Sequence, residues 1–149
     1  CPLPDEIAIE PFAGELTADY LAGFCHKSRR TIKSLIMDQS IVAGPGNIYA
    51  SEALFLAEIR PDRQACSLSE AELQAVVAGL IEVVARAIAS ADAQMQLNGP
   101  FLNSETTHFP IDTKVYGRSG EKCCRCRTGL ISAVRIAGRS SFFCPVCQK

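Results

Sequence analysis

The chain has 149 residues, 48% of them hydrophobic and 21% charged, with no tryptophan and a formal net charge of −1. That composition supports one folded core with room for a small appendage and excludes wholesale disorder. No apolar run approaches the length of a membrane span, and no basic-then-apolar leader precedes a small-residue cleavage site.

In chain order, CPLPDEIAIEPFAG carries three prolines and no steady period, which predicts an extended lead-in over residues 1–14. ELTADYLAGFC offers Thr17 as a helix cap, Asp19 in the first turn, and Tyr20, Leu21 and Phe24 at helical spacing. RRTIKSLIMDQ repeats the pattern with Ile32, Leu35 and Ile36 on one face. IVAGPGN breaks it, and NIYASEALFLAEI restores it with Ile48, Leu54 and Phe55 directed inward, until Pro61 ends the helix. The segment from Leu68 to Gln96, capped by Ser69 and striped with Ala, Leu, Val and Ile, predicts one long core helix. From Leu97 to Lys122, Gly, Pro, Asn, Ser and Thr are dense and no period lasts, so a long loop is expected. The tail switches to short β-like runs, LISAVRI and SSFFC, split by Ala137-Gly138, which predicts a hairpin.

Charge is segregated along this order. From Thr113 onward there are eight Lys or Arg against the single acid Glu121, and a second basic cluster comprises Lys27, Arg29, Arg30 and Lys33. Acids gather elsewhere, a distribution that fits contact with a polyanion, although charge runs also arise as ordinary solvated faces.

Five of the eight cysteines fall in the last 27 residues. Cys123-x2-Cys126, seventeen residues, and Cys144-x2-Cys147 form two knuckles that bring four thiolates around one tetrahedral ion, with a hairpin between them. Zinc is the expected occupant, and four sulfurs leave it no open position, so the site is structural. A redox pair and an iron–sulfur centre are the rival readings, and Cys124 competes with Cys123 as a ligand. Cys25 and Cys66 sit in apolar sequence and read as core. Arg139 follows Gly138 at the hairpin tip, either as a solvated turn residue or as a rigidly presented guanidinium for an anion.

Gly44-Pro45-Gly46-Asn47 is either an interhelical turn with an asparagine cap or an anion site. In the second reading, Gly46 strips the approach to helix-opening amides that carry the positive end of the helix dipole.

SLIMDQSIVAGPGNIYASEALFLAEIRPDR, followed by KVYGR and a C-x2-C…GR-x3-FC-x2-CQ tail, resembles the bacterial formamidopyrimidine-DNA glycosylases from about Leu16 to the end. The resemblance implies a mainly α fold, a helix–two-turn–helix domain over 15–113 with a lesion-capping loop at about 97–113, and a zinc-bound β-hairpin over 114–149. It implies base-excision repair of oxidised purines with strand nicking, in the cytoplasm, by a monomer that binds damaged duplex DNA. DNA contacts would come from Arg29, Lys33, Gly46, Asn47, Tyr116 and Arg139, with Arg139 also assigned to δ-elimination. Ser40 and Pro45 depart from the family pattern. The family's catalytic domain, with its amino-terminal proline and adjacent glutamate, is not in this sequence. Pro2 is acylated by Cys1 and cannot form a Schiff base. Residues 1–14 are therefore expected to be an interdomain linker, and the chain a C-terminal half that binds without excising. A stand-alone DNA-binding module and a zinc-ribbon domain for acidic protein partners are the alternatives.

Overall fold

The computed structural model of the chain describes residues 16–42, 46–98 and 113–149, with residues 90–98 described as backbone only. The expected linker at 1–14 and Gly44-Pro45 lie outside the described residues, as does the capping loop expected at about 97–113 except at its ends: α4 runs on through Asn98, and residue 113 is described.

Among the described residues, four helices precede a two-stranded sheet: α1 Ala18–Cys25, α2 Ile32–Ile36, α3 Asn47–Ala57, a 3-10 turn Ala65–Ser67, α4 Glu70–Asn98, then β1 Ser132–Ile136 and β2 Arg139–Phe143. Thr17 caps α1 by accepting the Tyr20 amide at 3.1 Å, and Thr31 caps α2 through Ser34 at 3.2 Å. Five residues are too few to hold a helix alone. The start of α2 is instead fastened to the loop after α3, with the Ile32 amide donating to Arg63 at 2.7 Å and the Ala65 amide to Arg30 at 2.8 Å. Asp38 then turns the chain, accepting the Ser40 amide at 2.9 Å, while Tyr20 Oη donates to the Ile41 carbonyl at 2.7 Å. Ser69 caps α4, its hydroxyl oxygen accepting the Glu72 amide and its hydroxyl donating to the Glu72 carboxylate.

The main core gathers Leu21, Ile32, Leu35, Ile36, Val42, Ala53, Leu54, Leu73, Val76 and Leu80. α3 crosses α4 so closely that a Cβ at Gly79 would lie 2.5 Å from the Ala53 carbonyl oxygen. A second, smaller cluster of Phe55, Val115, Cys123, Ile131 and Cys144 joins the far side of α3 to the metal-knuckle region. Ala50 to Phe55 are consequently buried without a break, so α3 has two inward faces where one was expected. Ile48 is half-buried, and Phe24 stays 39% exposed with its ring edge-on to Tyr20.

Two further expectations are corrected. Cys25 is core, but Cys66 is exposed on the 3-10 turn. α3 ends at Glu58 in the left-handed region (φ 62°), before Pro61. Leaving the helix there frees the backbone to pair with the tail: the Lys149 amide donates to Glu58 at 3.0 Å and the Arg60 amide to Lys149 at 3.1 Å. The hairpin is as expected, with Ile136 opposite Arg139 across Ala137-Gly138, both at positive φ as a two-residue turn requires.

Candidate metal centre and anion-binding face

The two knuckles converge. The sulfurs of Cys123, Cys126, Cys144 and Cys147 all lie within 4.8 Å of one another, with Cys123–Cys147 and Cys126–Cys144 each at 3.7 Å. A tetrahedron of zinc–sulfur bonds of about 2.3 Å has edges of about 3.8 Å, so the donor set fits that ion. Backbone amides of Arg125, Gly129 and Cys147 donate to the Cys123, Cys126 and Cys144 sulfurs at 3.3–3.4 Å, the pattern of a knuckle folded around thiolates. A Cβ on Gly129 would meet the Cys144 sulfur at 2.8 Å, so only glycine fits that approach. Burial pushes the Cys147 thiol up to about 12, a cost that a bound divalent cation reverses. Cys124 is exposed and outside the foursome, which resolves the choice in favour of Cys123.

The knuckles are riveted to the end of α3. Arg125 lies 4.2 Å over the Phe55 ring and donates to the Phe55 carbonyl at 2.9 Å; Arg60 lies 4.6 Å over Phe143. Buried Gln148 bridges the two parts, accepting from the Cys144 amide at 2.7 Å and donating to the Ile59 carbonyl at 2.8 Å.

At the other end of α3, five expected site residues meet. Gly46 is the helix cap, extended and without a side-chain bond, and a Cβ there would have nothing within 4 Å. Asn47 is the first helical residue, not the cap. Its side chain turns toward β2, where Nδ2 donates to the Ser140 carbonyl at 3.0 Å and lies 3.5 Å from Tyr116 Oη. Lys33 is only 1% exposed, and its ammonium donates to Asn47 Oδ1, Ser141 Oγ and, at 3.3 Å, the Ser140 carbonyl. Burial first, and then the neighbouring Arg139, lower its pKa to about 8. Arg139 opens β2, exposed, and with Lys33, Arg30, Ser34 and Asp38 lines an open cleft of about 260 Å³ between α2 and the hairpin tip.

Arg29 is exposed and outside that lining; its neighbour Arg30 takes the place. Arg30 is held by Asp38 at 3.0 Å and the Ser34 carbonyl at 3.0 Å. Hydrogen bonds from Ser40, then from Arg30, hold the Asp38 carboxyl down to about 2. The sequence reading also missed Glu52, a carboxylate 4% exposed inside α3 that accepts the amides of Lys114, Val115 and Tyr116 at 2.8–3.0 Å. A charged residue in the run Ala50–Phe55, apolar but for Ser51, was the available signal.

Lys33 thus contacts the first residue of α3, while Arg30 and Arg139 line the cleft with it, an arrangement suited to a multiply charged oxyanion. Residues 7–98 match the formamidopyrimidine-DNA glycosylase H2TH domain, and residues 120–149 match the zinc finger found in FPG and IleRS. The chain belongs to the formamidopyrimidine-DNA glycosylase family. It is 41% identical over 150 residues to a formamidopyrimidine-DNA glycosylase of Geobacter sulfurreducens, covering 99% of this chain and 54% of that relative. A Rickettsia conorii formamidopyrimidine-DNA glycosylase is 36% identical, with 97% and 52% covered. Among solved structures, the Lactococcus lactis glycosylase non-covalently bound to AP-site DNA superimposes with a TM-score of 0.79 at 33% identity, over 97% of this chain and 50% of that one. MutM in complex with DNA containing carbocyclic 8-oxo-G gives 0.80 at 33% identity, over 97% and 51%. The chain thus spans about half the length of the glycosylases it matches. No helix among the described residues is long and apolar enough to cross a membrane.

Proposed function

We propose that this chain is the DNA-gripping part of a base-excision-repair glycosylase and AP lyase that removes oxidised purines, 8-oxoguanine and formamidopyrimidine, from duplex DNA. One observation carries the reading: Lys33, Asn47, Tyr116 and Arg139, drawn from four segments, gather by the N-terminus of α3, whose cap Gly46 makes no side-chain bond. A phosphate in that socket would receive the first-turn amides of α3 and the Arg139 fork, with Lys33 supplying charge from behind. Arg29 and Arg30 extend the basic face toward neighbouring phosphates, and Arg139 is the residue proposed for δ-elimination. Zinc, where bound by the four cysteines, fixes the hairpin that presents Arg139 and performs no chemistry. Catalysis is assigned to an amino-terminal domain carrying the proline and glutamate, since Pro2 is an amide nitrogen. The working protein is proposed to be a cytoplasmic, nucleoid-acting monomer.

The test is an anisotropy titration of the 149-residue chain with duplex DNA carrying a tetrahydrofuran abasic analogue, at two salt concentrations. Affinity that falls steeply with salt is expected, without excision of 8-oxoguanine. Salt-insensitive or absent binding overturns the DNA reading, and excision by this chain overturns the division of labour.

A further inference from the structure

Glu52 has no place in a packing account of α3. An apolar side chain would fill its position in the run Ala50–Phe55 without burying a charge. Its two oxygens instead accept three consecutive amides, Lys114 at 2.8 Å, Val115 at 3.0 Å and Tyr116 at 2.9 Å. Only a carboxylate can do this, because glutamine would turn an NH2 toward one of the three donors. The consequence is felt at the end of the held segment. Val115 is locked into the knuckle-side cluster, and the Tyr116 ring meets Phe142 of β2 edge-on, with centroids 5.0 Å apart. The Tyr116 hydroxyl oxygen then lies 3.5 Å from Asn47 Nδ2. With Asn47 donating to that oxygen, the hydroxyl proton is directed away from Asn47 and is available to an anion in the socket.

We propose that Glu52 is a positioning residue for this socket, acting through the Tyr116 hydroxyl. The inference rests on the DNA-binding reading. Its partners lie more than sixty positions along the chain, so Glu52 sets where the segment entering the zinc module meets α3.

The experiment is a double-mutant cycle on the 149-residue chain, with zinc content and helical circular dichroism checked for each variant. Glu52→Gln is expected to weaken binding of the tetrahydrofuran duplex about tenfold while keeping one zinc. In a Tyr116→Phe background, which keeps the ring and removes the hydroxyl, the same change is expected to cost less than about threefold. A merely structural role would give independent, additive losses. Glu52→Asp, which keeps the charge and shortens the reach, passes through the same cycle should Glu52→Gln lose zinc or helix. Additive losses, or unchanged affinity in a folded Glu52 variant, overturn the positioning role and leave the DNA reading standing. No salt-dependent binding by the unsubstituted chain overturns both.

Discussion

The helical body and the zinc module hold together by different means. The body closes a continuous core from α1, α2, α3 and α4. The module has only five buried members in its cluster, of which two are metal-ligand cysteines and one, Phe55, is borrowed from α3. A segment this small cannot offset its ordering entropy by apolar burial, so the metal and the docking surface replace a core. The difference teaches that Arg139 and Lys33, neighbours in space, depend on separate sources of stability.

Removing zinc with a chelator should break the comparison most. Binding of structural zinc contributes on the order of 10 kcal/mol, so residues 120–149 should lose protease protection while helical circular dichroism persists. Loss of the helical signal would show one cooperative unit instead of two. The converse perturbation is Gly79→Ala, whose Cβ would press on the Ala53 carbonyl oxygen at 2.5 Å. It should destabilise the helical body by about 2–3 kcal/mol in denaturant melts with zinc content unchanged. Arg125→Ala removes the rivet over Phe55 and should cost about 1–2 kcal/mol in docking, seen as faster amide exchange in the module with the body unaffected. Arg139→Ala leaves both regions folded and should weaken abasic-DNA binding about tenfold, lowering the salt slope by about one.

The comparison also has a pH dependence. Lys33 titrates near 8 in the fold, against 10.5 unperturbed. Between those values the unfolded chain holds more protons, so stability should rise as pH climbs from about 8 toward 10.5. DNA affinity should fall over the same climb, because the ammonium that orders Asn47 and β2 is lost. Lys33→Met should flatten both curves, and parallel rather than opposed curves in the unsubstituted chain would argue against Lys33 as their source.

What the sequence discloses follows from how local each interaction is. The four zinc ligands were legible because the knuckle spacing itself encodes the geometry, and the caps Thr17 and Ser69 because their partners lie three residues away. The proposed socket showed in the sequence only as a set of residue types. Nothing local says that Lys33 turns inward to Ser140 and Ser141 of β2, more than a hundred positions on, or that Asn47 orders the strand instead of capping its helix. Glu52 showed in the sequence only as a charge within the run Ala50–Phe55; its partners more than sixty positions on were hidden for the same reason, as was the assignment of Phe55 to the zinc side. Cys66 misled because its flanks mix polar Gln64 and Ser67 with apolar Ala65 and Leu68, and the 3-10 geometry there leaves its thiol exposed.

α3 is shared property. Ala50 to Phe55 must satisfy the helical core on one side and the knuckle cluster on the other, with the proposed anion socket at one end and the Gln148 bridge just past the other. A substitution there has no single neighbour that can compensate for it. In a saturation mutagenesis selected for function, this helix should tolerate the narrowest alphabet in the molecule, narrower than the buried stripe of α4, which answers to one core alone.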